Sequence, residues 1–268
     1  MNNSPNRSSL ADQGVVITGA GSGIGRALAH AFSAAGARVV VNDLDVRSCH
    51  AAAEEVGAIA CPGDAATSDG VSHLVHQARS ELGRIDIFCA NAGIEGGRGL
   101  EATDAQWERS LEVNTLSHVR AARLLVPQWL EVGKGRFIVT ASAAGLLSML
   151  GSAPYAVSKH AAVAFAEWMS MTYRHRGIIT QALCPQWVET PMLSGVQEIA
   201  AVIDSDRVLT PEYVAQCVVT ACEGDSFYIL PHPEVADYYR ARATDPDQWL
   251  AIMNGLQRKI EAADETAH

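Results

Sequence analysis

The sequence predicts a doubly wound α/β fold, a parallel sheet of about seven strands with helices on both faces, followed by C-terminal helices. Three observations predict it. Short apolar runs recur between helical stretches from Gly14 to about Leu230. These runs are apolar throughout instead of alternating, as strands buried on both faces are. The glycine-rich and polar segments fall where the runs end, and in such a sheet ligands bind at the carboxyl ends of the strands.

The elements follow in order. Val15 to Thr18 is the first strand, and a helix opens near Gly23 and runs to about Ala35. Arg38 to Asp43 and Ala58 to Cys61 are the second and third strands, with a helix over about Val46 to Val56 between them. A helix over about Ser68 to Leu82 precedes the fourth strand, Ile85 to Asn91. One long helical region, about Asp104 to Leu130, leads to the fifth strand, Arg136 to Ser142. A helix over about Ala153 to Arg174 leads to the sixth, Ile178 to Cys184, and Phe227 to Leu230 is a candidate seventh. Strand–helix alternation at this spacing implies right-handed βαβ crossovers.

The 268 residues suffice for one large core, so a single catalytic domain over residues 10–268 is expected. Residues 1–9, rich in Asn, Ser and Pro, read as a flexible arm. Residues 234–268 read as a helical extension, with amphipathic helices at about Glu234 to Arg242 and Pro246 to Ala262. These helices either cover a substrate cleft or pack on the body or a neighbouring subunit.

A net charge of −10 argues against nucleic acid and anionic membranes as partners, and against a strongly acidic docking protein. No run approaches the roughly 20 apolar residues of a membrane span, and the polar N-terminus lacks a signal-peptide pattern. The six cysteines are scattered without a CxxC pair, several beside strand-like runs, which points to reduced, buried thiols and a cytoplasmic setting. His73 and His76 lie three apart on a helix, but no third ligand accompanies them and no metal is expected.

The first strand runs into TGAGSGIG, Thr18 to Gly25. Gly19 permits the sharp strand-to-helix turn, Gly23 lets backbone N–H groups approach a pyrophosphate, and Gly25 lets the helix pack closely on the sheet. Ser22 and Ile24 complete this candidate cofactor loop. Asp43 ends the second strand at about the 20-residue separation expected of an acid that holds an adenosine ribose 2′-OH. Its carboxylate repels a 2′-phosphate, and Leu44 follows it where an arginine would neutralise one, so NAD is expected over NADP. Arg26 reads as an exposed surface charge. Asp64, with Ala65, follows the third strand and either meets an adenine edge or starts a helix. Asn91, Ala92 and Gly93 end the fourth strand, small enough for backbone contact with a cofactor.

Ser142 ends the fifth strand, and Tyr155 and Lys159, four apart, share one helical face. With TGAGSGIG, the NAG at Asn91 to Gly93, Asn114 within EVNTLS, and YAVSK at Tyr155 to Lys159, the chain from about Gly14 to Thr190 resembles the short-chain dehydrogenase/reductase (SDR) family. The resemblance implies a Rossmann-like fold and an NAD(H)-dependent oxidoreductase. It implies Tyr155 as general acid/base, Lys159 as a cation favouring phenolate and holding the nicotinamide ribose, and Ser142 as donor to the substrate oxygen. Asn114 would help keep a water beside Lys159 for a proton relay, or else bond helix backbone. The family's Pro-Gly after the sixth strand is here Pro185-Gln186-Trp187, with Val188 and Thr190 matching the nicotinamide-amide positions. A homotetramer or homodimer is the family expectation.

Ile94, Leu146, Met149, Trp187 and Met192 are candidate pocket residues for an uncharged, hydrophobic secondary alcohol or ketone, or alternatively packing residues. Other readings are an NADPH-type β-ketoacyl or enoyl reductase, which Asp43 disfavours, and a non-catalytic NAD-sensing protein, which would not need the tyrosine set.

Overall fold

A computed structural model describes residues 10–193 and 207–267. The predicted arm, residues 1–9, lies outside them. Seven strands form one sheet in the order β3-β2-β1-β4-β5-β6-β7, every pairing parallel. They are β1 Gly14–Thr18, β2 Arg38–Asn42, β3 Ile59–Ala60, β4 Ile87–Ala90, β5 Gly135–Thr140, β6 Ile178–Leu183 and β7 Tyr228–Ile229. The strand order reverses between β1 and β4, and the crevice above that point is where a doubly wound sheet takes its ligand.

The helices are α1 Gly23–Ala34, α2 Val46–Val56, α3 Ser68–Leu82, α4 Asp104–Leu111, α5 Ser117–Val132, α6 Ala144–Leu147, α7 Ala153–Tyr173, α8 Pro211–Ala221, α9 Glu234–Thr244 and α10 Pro246–Ala267. Alternate residues of each strand feed two cores. Val16, Phe88 and Phe137 pack against α3, α5 and α7, with Phe88 stacked on Phe137 at 5.6 Å. Val15, Ile17 and Ile138 pack against α1, α2 and α8 around Leu28 and Phe32. That two-sided burial is why the strand runs carry no polar alternation.

Helix starts follow local chemistry. Asp45 caps α2 through the Ser48 N–H at 2.7 Å, Thr67 caps α3 through the Gly70 N–H at 3.0 Å, and Thr103 with Gln106 forms a capping box at α4. The expected long helical region is continuous from α4 to α5, with a π turn over Glu112–Leu116 between them. The helix α8, started by Thr210 with Pro211 in the first turn, was not expected.

The C-terminal helices pack on the body. Val235 joins the core beneath α5 and α7, and Arg242 of α9 donates to the Leu146 carbonyl in α6 and lies 3.2 Å from His160 Nε2. None of the described residues of α9 or α10 lines the cleft above the sheet.

Candidate active site

The carboxyl ends of the strands border an open cleft of about 440 Å³. Its first end is built by the β1–α1 turn. Gly19 and Gly23 have φ of +62° and +51°, which L side chains rarely adopt. A Cβ on Gly19 would stand 2.8 Å from Ala92 Cα, and one on Gly25 would overlap the Gly19 carbonyl. The turn therefore brings backbone into the cleft, and the N-terminus of α1 opens on it at Ser22, Gly23, Ile24 and Gly25. The first N–H groups of a helix have no intrahelical acceptor and favour an anion.

Asp43, just beyond β2, lines the same end. Its Oδ2 accepts from the Gly21 N–H at 2.8 Å and its Oδ1 from the Asp45 N–H at 3.0 Å. Each carboxylate oxygen keeps a further lone pair for a hydroxyl donor. Arg26 points away and pairs with Glu55. Asp64 and Ala65 also line the cleft, but the Asp64 carboxylate is engaged by the Ala66 N–H at 2.9 Å and by Arg109 at 3.2 Å. Asp64 thus braces the turn before α3, whose N-cap is Thr67, and borders the cleft.

Asn91 ties three strand ends together. Its Nδ2 donates to the carbonyls of Thr18 (3.0 Å) and Gly19 (3.2 Å), and its Oδ1 accepts from Thr140 Oγ1 at 3.0 Å. Ala92 and Gly93 then present backbone to the cleft. This glycine turn, acid and small-residue edge fit a dinucleotide.

At the other end lie Ser142, Tyr155 and Lys159, all bordering the cleft. Pro154 in the first turn of α7 sets the helix start, and the spacing of four puts Tyr155 and Lys159 on one face. Lys159 Nζ sits 5.6 Å from the centre of the Tyr155 ring and donates to the Thr140 carbonyl at 2.8 Å. Burial pushes Lys159 down to about 8 and Tyr155 up to about 12, while a hydrogen bond from Ser142 works against the rise at Tyr155. Burial is the largest influence on the Tyr155 phenol.

Asn114 lies in the π turn, fully buried and off the cleft lining. Its Nδ2 donates to the Ile94 carbonyl and Ser158 Oγ, both at 2.9 Å, and its Oδ1 accepts from the Ile94 N–H at 2.8 Å. Both amide hydrogens are committed to protein, so the side chain fastens the loop after β4 to α7.

Pro185, Val188 and Thr190 border the cleft, with Thr190 against Gly23. The turn carrying Gln186 and Trp187 is held by His232, which sequence reasoning missed. The buried ring accepts from the Gln186 N–H at 3.1 Å through Nδ1 and lies 3.0 Å from the Arg207 carbonyl through Nε2. Ile94, Met149, Trp187 and Met192 line the same cleft as Tyr155, but Leu146 does not. Leu146 is buried in the core beneath α6, a correction to the expected pocket. Glu95, also missed, lines the cleft, and burial raises its carboxyl. His73 and His76 are exposed on α3, and no group of three or more potential metal ligands gathers among the described residues.

The fold places a glycine turn and an acid at one end of this cleft and a tyrosine–lysine–serine set at the other. A family model described as short chain dehydrogenase matches residues 13–200. A 1-deoxy-11-beta-hydroxypentalenate dehydrogenase of Streptomyces exfoliatus is 36% identical over 252 residues, covering 91% of this chain and 90% of that protein. The epidermal retinol dehydrogenase 2 of Mus musculus is 32% identical over 233 residues, 83% of this chain and 75% of that one. The solved structure of an SDR from Burkholderia phymatum in complex with NAD matches with a TM-score of 0.80 at 28% identity, covering 89% of this chain and 95% of that one. The chain belongs to the short-chain dehydrogenase/reductase family, a family of oxidoreductases.

Proposed function

We propose that this protein is an NAD(H)-dependent oxidoreductase that interconverts a secondary alcohol and a ketone of a hydrophobic small molecule. The observation that carries the reading is the single cleft joining Asp43 and the glycine turn to Ser142, Tyr155 and Lys159. When bound, the nicotinamide supplies hydride transfer. The glycine turn and the α1 N-terminus hold the pyrophosphate, and the remaining Asp43 lone pairs accept from ribose hydroxyls while its charge excludes a 2′-phosphate.

Tyr155 carries the proton: as phenolate it takes one from the alcohol, and as phenol it gives one to the ketone oxygen. Ser142 donates to that oxygen as charge develops on it. Lys159 holds the ribose, and its ammonium opposes the burial that keeps Tyr155 protonated. The apolar lining by Ile94, Met149, Trp187 and Met192 supports a hydrophobic substrate, as does a relative acting on retinol.

Residues 10–268 would act as one catalytic domain, with the extension as a brace on α6. Six free cysteines support a reducing, cytoplasmic setting. Exposed Val157, Trp168 and Met171 on α7 support a homodimer or homotetramer.

The test is a panel of secondary alcohols and ketones assayed by NADH absorbance, with NAD and NADP in parallel, for wild type and Tyr155→Phe. NAD-linked turnover that Tyr155→Phe abolishes while NADH still binds is expected. Activity retained in Tyr155→Phe would overturn the proton role, and turnover with NADP alone would overturn the Asp43 argument.

A further inference from the structure

His118, on α5, takes no part in the chemistry above, yet its surroundings are unusual for a core residue. It is 2% exposed, and neither ring nitrogen has a hydrogen-bond partner among the described residues. A neutral imidazole offers one N–H donor and one acceptor nitrogen, and buried groups of that kind are nearly always paired, with protein or with an ordered water.

The helix register shows which way the ring faces. Asn114, four residues earlier, donates to Ser158 Oγ at 2.9 Å, and Thr115, three residues earlier, donates to the Ser158 carbonyl at 2.9 Å. Residues three and four apart share a helical face, so His118 is directed toward α7 as they are, beside Lys159. Burial and the positive charge of Lys159 push the imidazole down to about 3, so the ring stays neutral at any working pH. Lys159 in turn has three N–H hydrogens and, among the described residues, one protein acceptor, the Thr140 carbonyl at 2.8 Å.

We propose that His118 is a positioning residue for proton exchange at Lys159: its acceptor nitrogen takes a hydrogen bond from a buried water that in turn accepts one from the ammonium. The inference rests on the alcohol–ketone reading of the site. In alcohol oxidation Tyr155 takes a proton that must reach bulk solvent: Lys159 gives an N–H proton to this water, the water gives one of its own to the next solvent molecule, and Lys159 regains a proton from the Tyr155 side. In ketone reduction each transfer runs in reverse. The His118 ring orients the water, neither gains nor loses a proton, and remains neutral.

The test compares wild type with His118→Leu, His118→Gln and His118→Ala, using a substrate that wild type turns over. His118→Leu is expected to lower kcat at least tenfold and to raise the solvent deuterium isotope effect, with the KM for NAD and the Tm little changed. His118→Gln, which keeps a donor and an acceptor, is expected to recover most of kcat, and added imidazole to restore His118→Ala. A crystal structure of the wild-type protein should show an ordered water between His118 and Lys159. An unchanged kcat and isotope effect in His118→Leu would overturn the proposal, as would a loss that neither glutamine nor imidazole repairs, or a ring packed without water. Failure of wild type to turn over any alcohol or ketone would sink the underlying reading, and this inference with it; the variant results bear on the inference alone.

Discussion

Lys159 donates to the carbonyl of Thr140 at 2.8 Å, joining the start of α7 to the last residue of β5. The bond offsets part of the penalty for burying the ammonium, whose pKa falls to about 8. An unfolded lysine titrates near ~10.4. Between those values the unfolded chain binds more protons than the folded one, so this group makes stability rise with pH across that window. Tyr155, raised to about 12, acts in the opposite sense above about pH 10, and the buried thiols of Cys61, Cys184 and Cys222, also raised, do so above about pH 9. The difference between wild type and Lys159→Met isolates the lysine. In urea melts without cofactor, wild type should gain up to about 2 kcal/mol relative to Lys159→Met between pH of about 8 and about 9.5. A difference that stays flat or shrinks over this range would show that Lys159 is not held at a depressed pKa.

Asp43 serves the site twice, bracing Gly21 through one oxygen and bordering the cleft with its remaining lone pairs. Asp43→Ser removes the repulsion toward a 2′-phosphate and the acceptors for a ribose diol. Hydrogen bonds to a charged group contribute about 1.5–3 kcal/mol, so the KM for NAD should rise roughly ten- to hundredfold. Binding of NADP should improve at the same time. The ratio of kcat/KM values for the two cofactors reads the effect, and an unchanged ratio would refute the assignment.

Ser142 Oγ accepts from the Ala144 N–H at 3.1 Å, and its contact to the Pro185 carbonyl is long at 3.5 Å. Its hydroxyl hydrogen turns to the Tyr155 phenol, the partner that a substrate oxygen would replace. Ser142→Ala should lower kcat by about 10²- to 10³-fold, the usual loss of one donor to a developing oxyanion. The KM for NAD should hardly move. Steady-state kinetics in both directions measure this, and a loss expressed only in cofactor affinity would assign Ser142 a different part.

Much of the site was legible because its signals are local. The strand runs, the glycine turn, Asp43 and the Tyr155–Lys159 spacing depend on residues close in sequence, and the structure gathers them around one cleft. What escaped depends on distant partners. His232 holds the Gln186 turn from 46 positions away, which no periodicity announces. The π turn at Asn114 arises where α4 hands over to α5 within one continuous helical pattern, and α8 follows a segment with little pattern of its own. Leu146 reads as a cleft residue because it follows Ser142 closely, but the short helix α6 turns it into the core beside Arg242.

The same stretch carries backbone strain. Ser148, which ends α6, has φ 69° and ψ 173°, a region occupied almost solely by glycine. Such a conformation costs a non-glycine residue about 1–3 kcal/mol. Glycine adopts it without steric penalty but loses more chain entropy on folding, roughly 0.5–1 kcal/mol. The strain term is the larger, so Ser148→Gly should stabilise the protein by up to about 2 kcal/mol. The neighbouring Met149 borders the cleft, so the substitution also tests whether the strained turn aims that side chain. Thermal melts should show a higher Tm for Ser148→Gly, and a raised KM for a hydrophobic substrate would accompany it if the strain positions Met149. A lower Tm would mean that the native backbone at Ser148 is not strained.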